Sequence, residues 1–88
     1  MLQLSKNVRF THNEEGGVVL DILHGQMYRL NFVGSRMLEL LAAGYSEESV
    51  AEDLNRQFGV RLETARNDVR DFFEVLEQHA LIVRRRCS

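Results

Sequence analysis

The sequence predicts an α+β fold of the winged-helix kind, in which a three-stranded antiparallel sheet is followed by three helices. The first third of the chain holds short β-branched or alternating apolar runs separated by glycine-containing turns. The remainder holds three stretches with apolar residues at three- and four-residue spacing. Because 88 residues suffice for one modest core, we expect a single domain over residues 1–83 and a basic tail over residues 84–88.

Three strands are predicted in the first third of the chain. The first contains Val8 and Phe10, whose apolar side chains alternate with polar neighbours. The second covers residues 18–23, where β-branched residues are frequent. The third covers residues 26–30 and follows a tight glycine connection, so the second and third strands form a hairpin. We expect the third strand to be the last of its sheet, with one edge unpaired.

Three helices are predicted to follow the sheet. Asn31 is suited to cap the first helix, and Gly44 marks its end. Ser46 is suited to cap the second helix, which ends at Gly59. The third helix covers about residues 62–79, where apolar residues recur at helical spacing.

Composition and motifs argue against several classes of function. The net charge of −2 gives no attraction to an anionic membrane, and no apolar run approaches the roughly 20 residues that cross a bilayer. The N-terminus lacks the apolar block of a signal peptide, so we expect a cytoplasmic protein. Neither a nucleophile elbow nor a phosphate-binding glycine loop is present, so we expect no enzyme activity. The dispersed His12, His24, His79 and Cys87 predict no metal site, and we expect no cofactor.

Nucleic-acid binding by a winged helix is the main alternative, because such proteins also combine a small sheet with three helices. The predicted third helix carries two arginines and five acidic residues, and this excess of negative charge would repel phosphate. The basic residues 84–86 are few and terminal. The charge pattern therefore disfavours this alternative.

Peptide binding fits the pattern better, because an unpaired sheet edge can accept a further strand beside a helix. The apolar stripe of the third helix is centred between Val69 and Leu76. Val75 lies off this stripe, next to Asp68 and Phe72, and is either an ordinary exposed valine or part of a groove wall. The opposite flank could form the groove instead; it carries Arg66, Arg70, Phe73 and Glu77.

The order and spacing of these motifs resemble the PqqD-like family, whose members are also called RiPP recognition elements. The resemblance rests on Gly-Val-Val-Leu-Asp at residues 17–21, on Gly-Gln-Met-Tyr-Arg-Leu-Asn at residues 25–31, and on Gly34 before an apolar helix. It continues through the helices to residues 80–82 and so covers nearly the whole chain. Within this family, the sequence most resembles the free-standing proteins of lasso-peptide pathways.

The resemblance implies a non-catalytic protein that binds the leader segment of a ribosomally made precursor peptide. The leader, typically with a Tyr-x-x-Pro-x-Leu pattern, would add to the third strand as an antiparallel strand and lie against the third helix. The precursor would pass to a cysteine peptidase that removes the leader and to an ATP-dependent cyclase. Asp68 would be available to a leader Lys or Arg. The implied site residues are Met27, Tyr28, Arg29 and Leu30 on the strand and Asp68, Val69, Phe72, Val75 and Leu76 on the helix.

The sequence leaves one more alternative for the function and carries three further structural expectations. A PqqD-like carrier that delivers its peptide to a radical enzyme in cofactor maturation is another alternative. Relatives have Gly before a final Leu-Ile pair where this chain has Ala80, so we expect the third helix to end differently here. Residues 81–83 are expected to be extended. Since an exposed sheet edge permits self-pairing, we expect a monomer or an edge-strand dimer.

Overall fold

The computed structural model describes residues 2–84. Residues 1 and 85–88, which include Cys87 and most of the predicted basic tail, lie outside the described residues. The described chain forms five strands and three helices, in the order β1 (Leu2–Leu4), β2 (Val8–Asn13), β3 (Gly16–Asp21), β4 (Gln26–Leu30), α1 (Phe32–Ala42), α2 (Glu47–Phe58), α3 (Leu62–Gln78) and β5 (Ile82–Arg84). None of these helices is both long and apolar enough to cross a membrane.

The predicted three-stranded antiparallel sheet is confirmed, with the strand order β2-β3-β4. The pairing of β2 with β3 places Val8 opposite Asp21, and the pairing of β3 with β4 places Gly17 opposite Leu30. Three helices follow this sheet, so the predicted fold class is also confirmed. The predicted third strand is β4, which pairs with β3 alone among the described strands and forms one edge of the sheet.

The strand predicted over residues 18–23 ends at Asp21, two residues early. The carboxylate of Asp21 accepts a hydrogen bond from the backbone N–H of His24 at 3.2 Å, and its Oδ2 lies 2.8 Å from His24 Nδ1. This local bonding closes a turn before β4, in which Gly25 has a φ of +66°. Ile22 and Leu23 therefore lie in an exposed turn and not in the strand.

A two-stranded sheet joins the two ends of the described chain, with β1 antiparallel to β5 and Leu4 opposite Ile82. The extended segment at the C-terminal end is predicted from sequence, whereas β1 is not. Arg84 belongs to β5, and its Nη2 lies 3.2 Å from a carboxylate oxygen of Glu47 and 3.2 Å from one of Glu77. This residue is therefore held against α2 and α3.

The predicted helix caps are confirmed. The Oδ1 of Asn31 accepts a hydrogen bond from the N–H of Gly34 at 2.7 Å, and the Oγ of Ser46 accepts one from the N–H of Ser49 at 3.1 Å. Gly59 ends α2 in the left-handed conformation, with a φ of +69°. These caps fix where α1 and α2 begin and end, and the helices then bury one face each against the sheet and α3. Their buried apolar residues include Leu38, Leu41, Val50, Ala51 and Leu54.

The end of α3 corrects one expectation. Ala80 has a φ of +58° and takes the left-handed conformation that glycine favours. The N–H of Ala80 donates to the carbonyl of Glu77 at 2.9 Å, and the N–H of Leu81 donates to the carbonyl of Leu76 at 2.9 Å, as in a Schellman motif. The Oγ of Ser5 also donates to the carbonyl of Ala80 at 2.6 Å. The helix thus ends in a glycine-like way despite the alanine, because surrounding bonds hold that backbone.

Candidate functional site

The free edge of β4 has a definite hydrogen-bonding pattern. The N–H of Ile22 donates to the carbonyl of Asn7 at 3.0 Å, and the β2–β3 register places these two residues opposite each other. Bonded and non-bonded pairs alternate along an antiparallel ladder, so the next residue of β3, Asp21, directs its backbone groups towards β4. The same alternation continues along β3 to Val19 and Gly17.

The β3–β4 register shows which backbone groups of β4 bond to β3 and which point outwards. Tyr28 and Leu30 lie opposite inward-bonding residues of β3 and direct their backbone groups into the sheet. The carbonyl oxygen of Leu30 indeed points at Gly16, where an added Cβ would collide with it. Met27 and Arg29 alternate with these residues along β4, so their N–H and C=O groups point out of the sheet. A peptide laid along this edge would find two donors and two acceptors.

A groove of about 330 Å³ lies beside this edge, between the end of β4, the first turns of α1 and the middle of α3. Its apolar lining comes from Val33, Met37 and the half-buried ring of Phe72. Arg29 and Asp68 are exposed and stand at its rim. Among the described residues neither forms a salt bridge, so both charges are available to a ligand. The groove is thus apolar inside with one charge of each sign at its rim.

Gly34 allows α1 to approach α3 at this groove. A Cβ at Gly34 would lie 3.5 Å from two ring carbons of Phe72 and 3.2 Å from the capping Oδ1 of Asn31. Val33 and Met37 also line the groove, and the sequence did not identify either of them as a site residue. The available signal was Gly34 itself, because a glycine inside a helix often marks close approach of another element.

Four of the nine predicted site residues line this groove, namely Arg29, Leu30, Asp68 and Phe72. The structure therefore brings together residues from two elements that are distant in sequence. The groove lies on the Asp68 flank of α3. On the opposite flank, Phe73 is buried in the core and Arg66 donates to both carboxylate oxygens of Glu48, at 2.7 to 3.1 Å.

The other five predicted residues lie outside this groove. Val69 and Leu76 are core residues with only 1% and 4% of their surface exposed. Val75 is 49% exposed and lies one turn beyond Phe72 along α3. The last two of these residues lie on β4: Met27 is exposed and Tyr28 is half-buried. The ring centroids of Tyr28 and His79 are 5.4 Å apart. Contact of these five side chains with a ligand stays a prediction.

The described residues contain no group of three or more His, Cys, Asp or Glu side chains placed to hold a metal ion. Arg66 hydrogen-bonds the Glu48 carboxylate and thereby lowers its pKa. This ion pair joins the start of α2 to α3 and lies on the flank away from the groove. The site is therefore described by its backbone edge, its apolar lining and the charges of Arg29 and Asp68.

Comparison with known proteins identifies the family. The family described as coenzyme PQQ synthesis protein D (PqqD) matches residues 16–82. The chain belongs to the PqqD family. This membership confirms the resemblance noted in the sequence, and the matched region contains β3, β4 and all three helices, which are the elements that form the groove of this PqqD-family chain.

Two solved structures are similar over nearly the whole chain. One, described as TbiB1 in complex with the TbiA(β) leader peptide, is 27% identical with a TM-score of 0.88, covering 97% of this chain and 99% of the other. The second, described as lasso peptide synthetase B1 complexed with the leader peptide, is 22% identical with a TM-score of 0.86, covering 94% and 98%. The similarity to the second structure shows that the two proteins share a fold. No curated protein matches this PqqD-family sequence.

Proposed function

We propose that this PqqD-family chain binds the leader segment of a ribosomally made precursor peptide by adding it as a strand to the edge of β4. The observation that carries the proposal is the combination of outward-facing backbone groups at Met27 and Arg29 with an apolar groove beside them. The solved structure of TbiB1, which resembles this chain at a TM-score of 0.88, contains a leader peptide. Main-chain bonds would supply affinity and the groove would supply specificity.

The groove defines the side chains that the peptide would present. An apolar or aromatic residue would enter between Val33, Met37 and Phe72, where it would be removed from water. A basic residue beside it would face Asp68. The Tyr-x-x-Pro-x-Leu pattern of lasso leaders offers apolar side chains of this kind, so a lasso-type leader is our preferred ligand.

We further infer that the chain itself performs no chemistry. It would hold the precursor in the cytoplasm, where it is made, and raise its effective concentration at a leader peptidase of the cysteine protease class and at an ATP-dependent cyclase. The bound leader would then be an anchor shared by two successive enzymes. No cofactor would be required for this role.

A second candidate function follows from the family description, which refers to coenzyme synthesis. In that case the same edge and groove would carry the peptide substrate of a radical enzyme. Nucleic-acid binding, the other alternative, is disfavoured by α3, where acidic residues outnumber arginines five to two. The three candidates differ in the ligand that the chain should bind.

Fluorescence anisotropy would test the proposal. A labelled Tyr-x-x-Pro-x-Leu leader would be titrated with the full chain at ~150 mM salt, beside a scrambled peptide, a labelled DNA duplex and the peptide substrate of a radical enzyme. Sub-micromolar binding to the leader alone is the expected result. Binding only to the radical enzyme's substrate would favour the carrier function, and binding only to DNA would favour the winged-helix alternative.

A further inference from the structure

The three-stranded sheet has a second unpaired edge, on the side away from the proposed leader site. β2 forms this edge and pairs with β3 alone among the described strands. It has six residues, of which Arg9, Thr11, His12 and Asn13 are exposed. The chain contains no proline, the residue that most directly blocks an edge. The edge of β2 is therefore open to a further strand.

The register identifies which backbone groups of β2 point away from the sheet. The carbonyl of Asn7 accepts the N–H of Ile22 at 3.0 Å, so Asn7 directs its backbone groups towards β3. This direction alternates along an antiparallel strand. The N–H and C=O groups of Val8, Phe10 and His12 therefore point outwards at the edge.

Val8 is less available to a ligand than the other two residues. Its N–H already donates to the carbonyl of Ser5 at 3.1 Å, and its carbonyl accepts a bond from Arg9 Nη1 at 3.2 Å. A carbonyl oxygen has two lone pairs, so the carbonyl of Val8 can accept a second bond. The edge thus offers this carbonyl together with both backbone groups of Phe10 and of His12.

These backbone groups are self-complementary. When a second copy lies antiparallel with its Phe10 opposite Phe10, each Val8 faces a His12, and every outward-pointing residue faces another. The phenylalanine pair exchanges two hydrogen bonds and each His12 N–H donates to a Val8 carbonyl, so four main-chain bonds would join the copies. Phe10 is half-buried, and the meeting of two such rings would remove more of their apolar surface from water.

Charged residues at the two ends of β2 favour the same register. Lys6 lies two residues before the strand, and Glu14 lies one residue after it. Alignment of Phe10 with its counterpart brings Lys6 level with Glu14 of the second copy, and the two-fold symmetry repeats this pair at the other end. Both side chains are exposed, and neither forms a salt bridge among residues 2–84. A register shifted by two residues would separate both pairs of opposite charges.

We propose that the edge of β2 is a self-association surface, and that its occupant is β2 of a second copy of this chain in the antiparallel register centred on Phe10. This inference goes beyond the proposed function, because it concerns the opposite edge of the sheet. The joined sheet would have the strand order β4-β3-β2-β2-β3-β4. Both β4 edges would lie at its outer margins, so one dimer could hold two leader peptides.

Exchange of the two charges tests this register. Sedimentation equilibrium of the full chain at low salt would be measured from about 10 μM to about 1 mM protein, and we expect a reversible wild-type dimer within this range, because paired edge strands bury little surface. Lys6→Glu and Glu14→Lys each place like charges opposite one another at both ends, so each should raise the dissociation constant about tenfold or more. An equal mixture of the two variants restores both opposite-charge pairs and should form a heterodimer of near wild-type affinity.

Two further variants separate the backbone contribution from a general charge effect. His12→Pro removes two of the four proposed main-chain bonds and none of the β2–β3 ladder, so it should weaken the dimer while circular dichroism stays near wild type. The matched control for Lys6→Glu is Arg56→Glu, an exposed residue of α2 that forms no salt bridge among the described residues. This control should dimerise like the wild type.

Other outcomes would overturn the inference. A wild-type chain that stays monomeric up to about 1 mM would show that the edge of β2 does not pair with itself. A mixture that associates no better than the single variants would exclude this register. A dimer that dissociates when leader peptide is added would place the pairing at β4 instead. A chain that dimerises as expected but binds no leader would overturn the proposed function alone.

Discussion

Gly34 of α1 and Phe72 of α3 meet at the groove, where a Cβ at Gly34 would lie 3.5 Å from the phenylalanine ring. The contact brings the start of α1 to the middle of α3, and the half-buried ring lines the groove. A ring held in this way is an anchor site for an apolar side chain of a peptide.

Phe72→Ala should weaken leader binding about tenfold or more, because the apolar surface that receives the peptide side chain is removed. Phe72 is half-buried, so the variant should lose some stability and still fold. Anisotropy titration would measure affinity, and thermal denaturation would confirm folding. Unchanged affinity in the folded variant would place the peptide elsewhere on α3.

Val75→Asp tests how far the site extends along α3. Val75 is half exposed and lies one turn beyond Phe72, so a charge there should weaken binding if the peptide continues along this flank. Stability should hardly change, because the side chain already contacts water. Wild-type leader affinity in this variant would show that the site ends at Phe72 and does not extend along α3 to Val75.

The parts of this fold that depend on neighbouring residues could be predicted from sequence. Asn31, Ser46 and Gly59 act on backbone groups within a few residues of themselves, and the structure confirms all three caps. The hairpin between β3 and β4 also depends on a local glycine turn, although the Asp21–His24 bond ends β3 earlier than predicted.

The parts that depend on distant contacts could not be predicted in this way. β1 has only three residues, and its pairing partner β5 lies at the other end of the chain. Val33 and Met37 line the groove because α1 meets α3 there, which no local pattern indicates. The burial of Val69 and Leu76, by contrast, agrees with their position at the centre of the apolar stripe of α3, and only the family resemblance had implied that they contact a ligand.

Ala80→Gly should stabilise the protein. Ala80 has a φ of +58°, a conformation that costs an L-residue roughly 1 kcal/mol or more and costs glycine little. The greater freedom of glycine in the unfolded chain offsets part of this relief of strain. We therefore expect a net increase in the free energy of unfolding of up to about 1 kcal/mol and a Tm a few degrees higher. The Schellman bonds of Ala80 and Leu81 are made by the backbone and should persist. A lower Tm would mean that the alanine methyl contributes packing that outweighs this strain.

Asp21 should give stability a distinct acid dependence. Burial acts to raise the pKa of its carboxyl, but hydrogen bonds and charge attraction from His24 outweigh it and hold the pKa below the ordinary 3.8. A lowered folded-state pKa contributes stability that is fully present above 3.8 and is lost as the pH falls through the lower value. Urea unfolding at pH values around and below 3.8 should show a falling free energy of unfolding. The Asp21→Asn variant should show a smaller fall over the same pH values. An identical pH profile in the variant would contradict this assignment.

Proline substitution at the edge of β4 tests strand addition most directly. The N–H groups of Met27 and Arg29 point out of the sheet, so proline at either position removes no bond of the β3–β4 ladder. It does remove a donor that the leader would need, so Met27→Pro and Arg29→Pro should abolish leader binding while circular dichroism and Tm stay near wild type. Met27→Ala and Arg29→Ala keep the donors and should bind nearly as well as wild type. Tyr28→Pro is the opposite control, because its N–H bonds to β3 and its loss should unfold the hairpin. Wild-type binding by both folded edge prolines would rule out strand addition, since a leader paired with this edge needs the N–H groups of Met27 and Arg29.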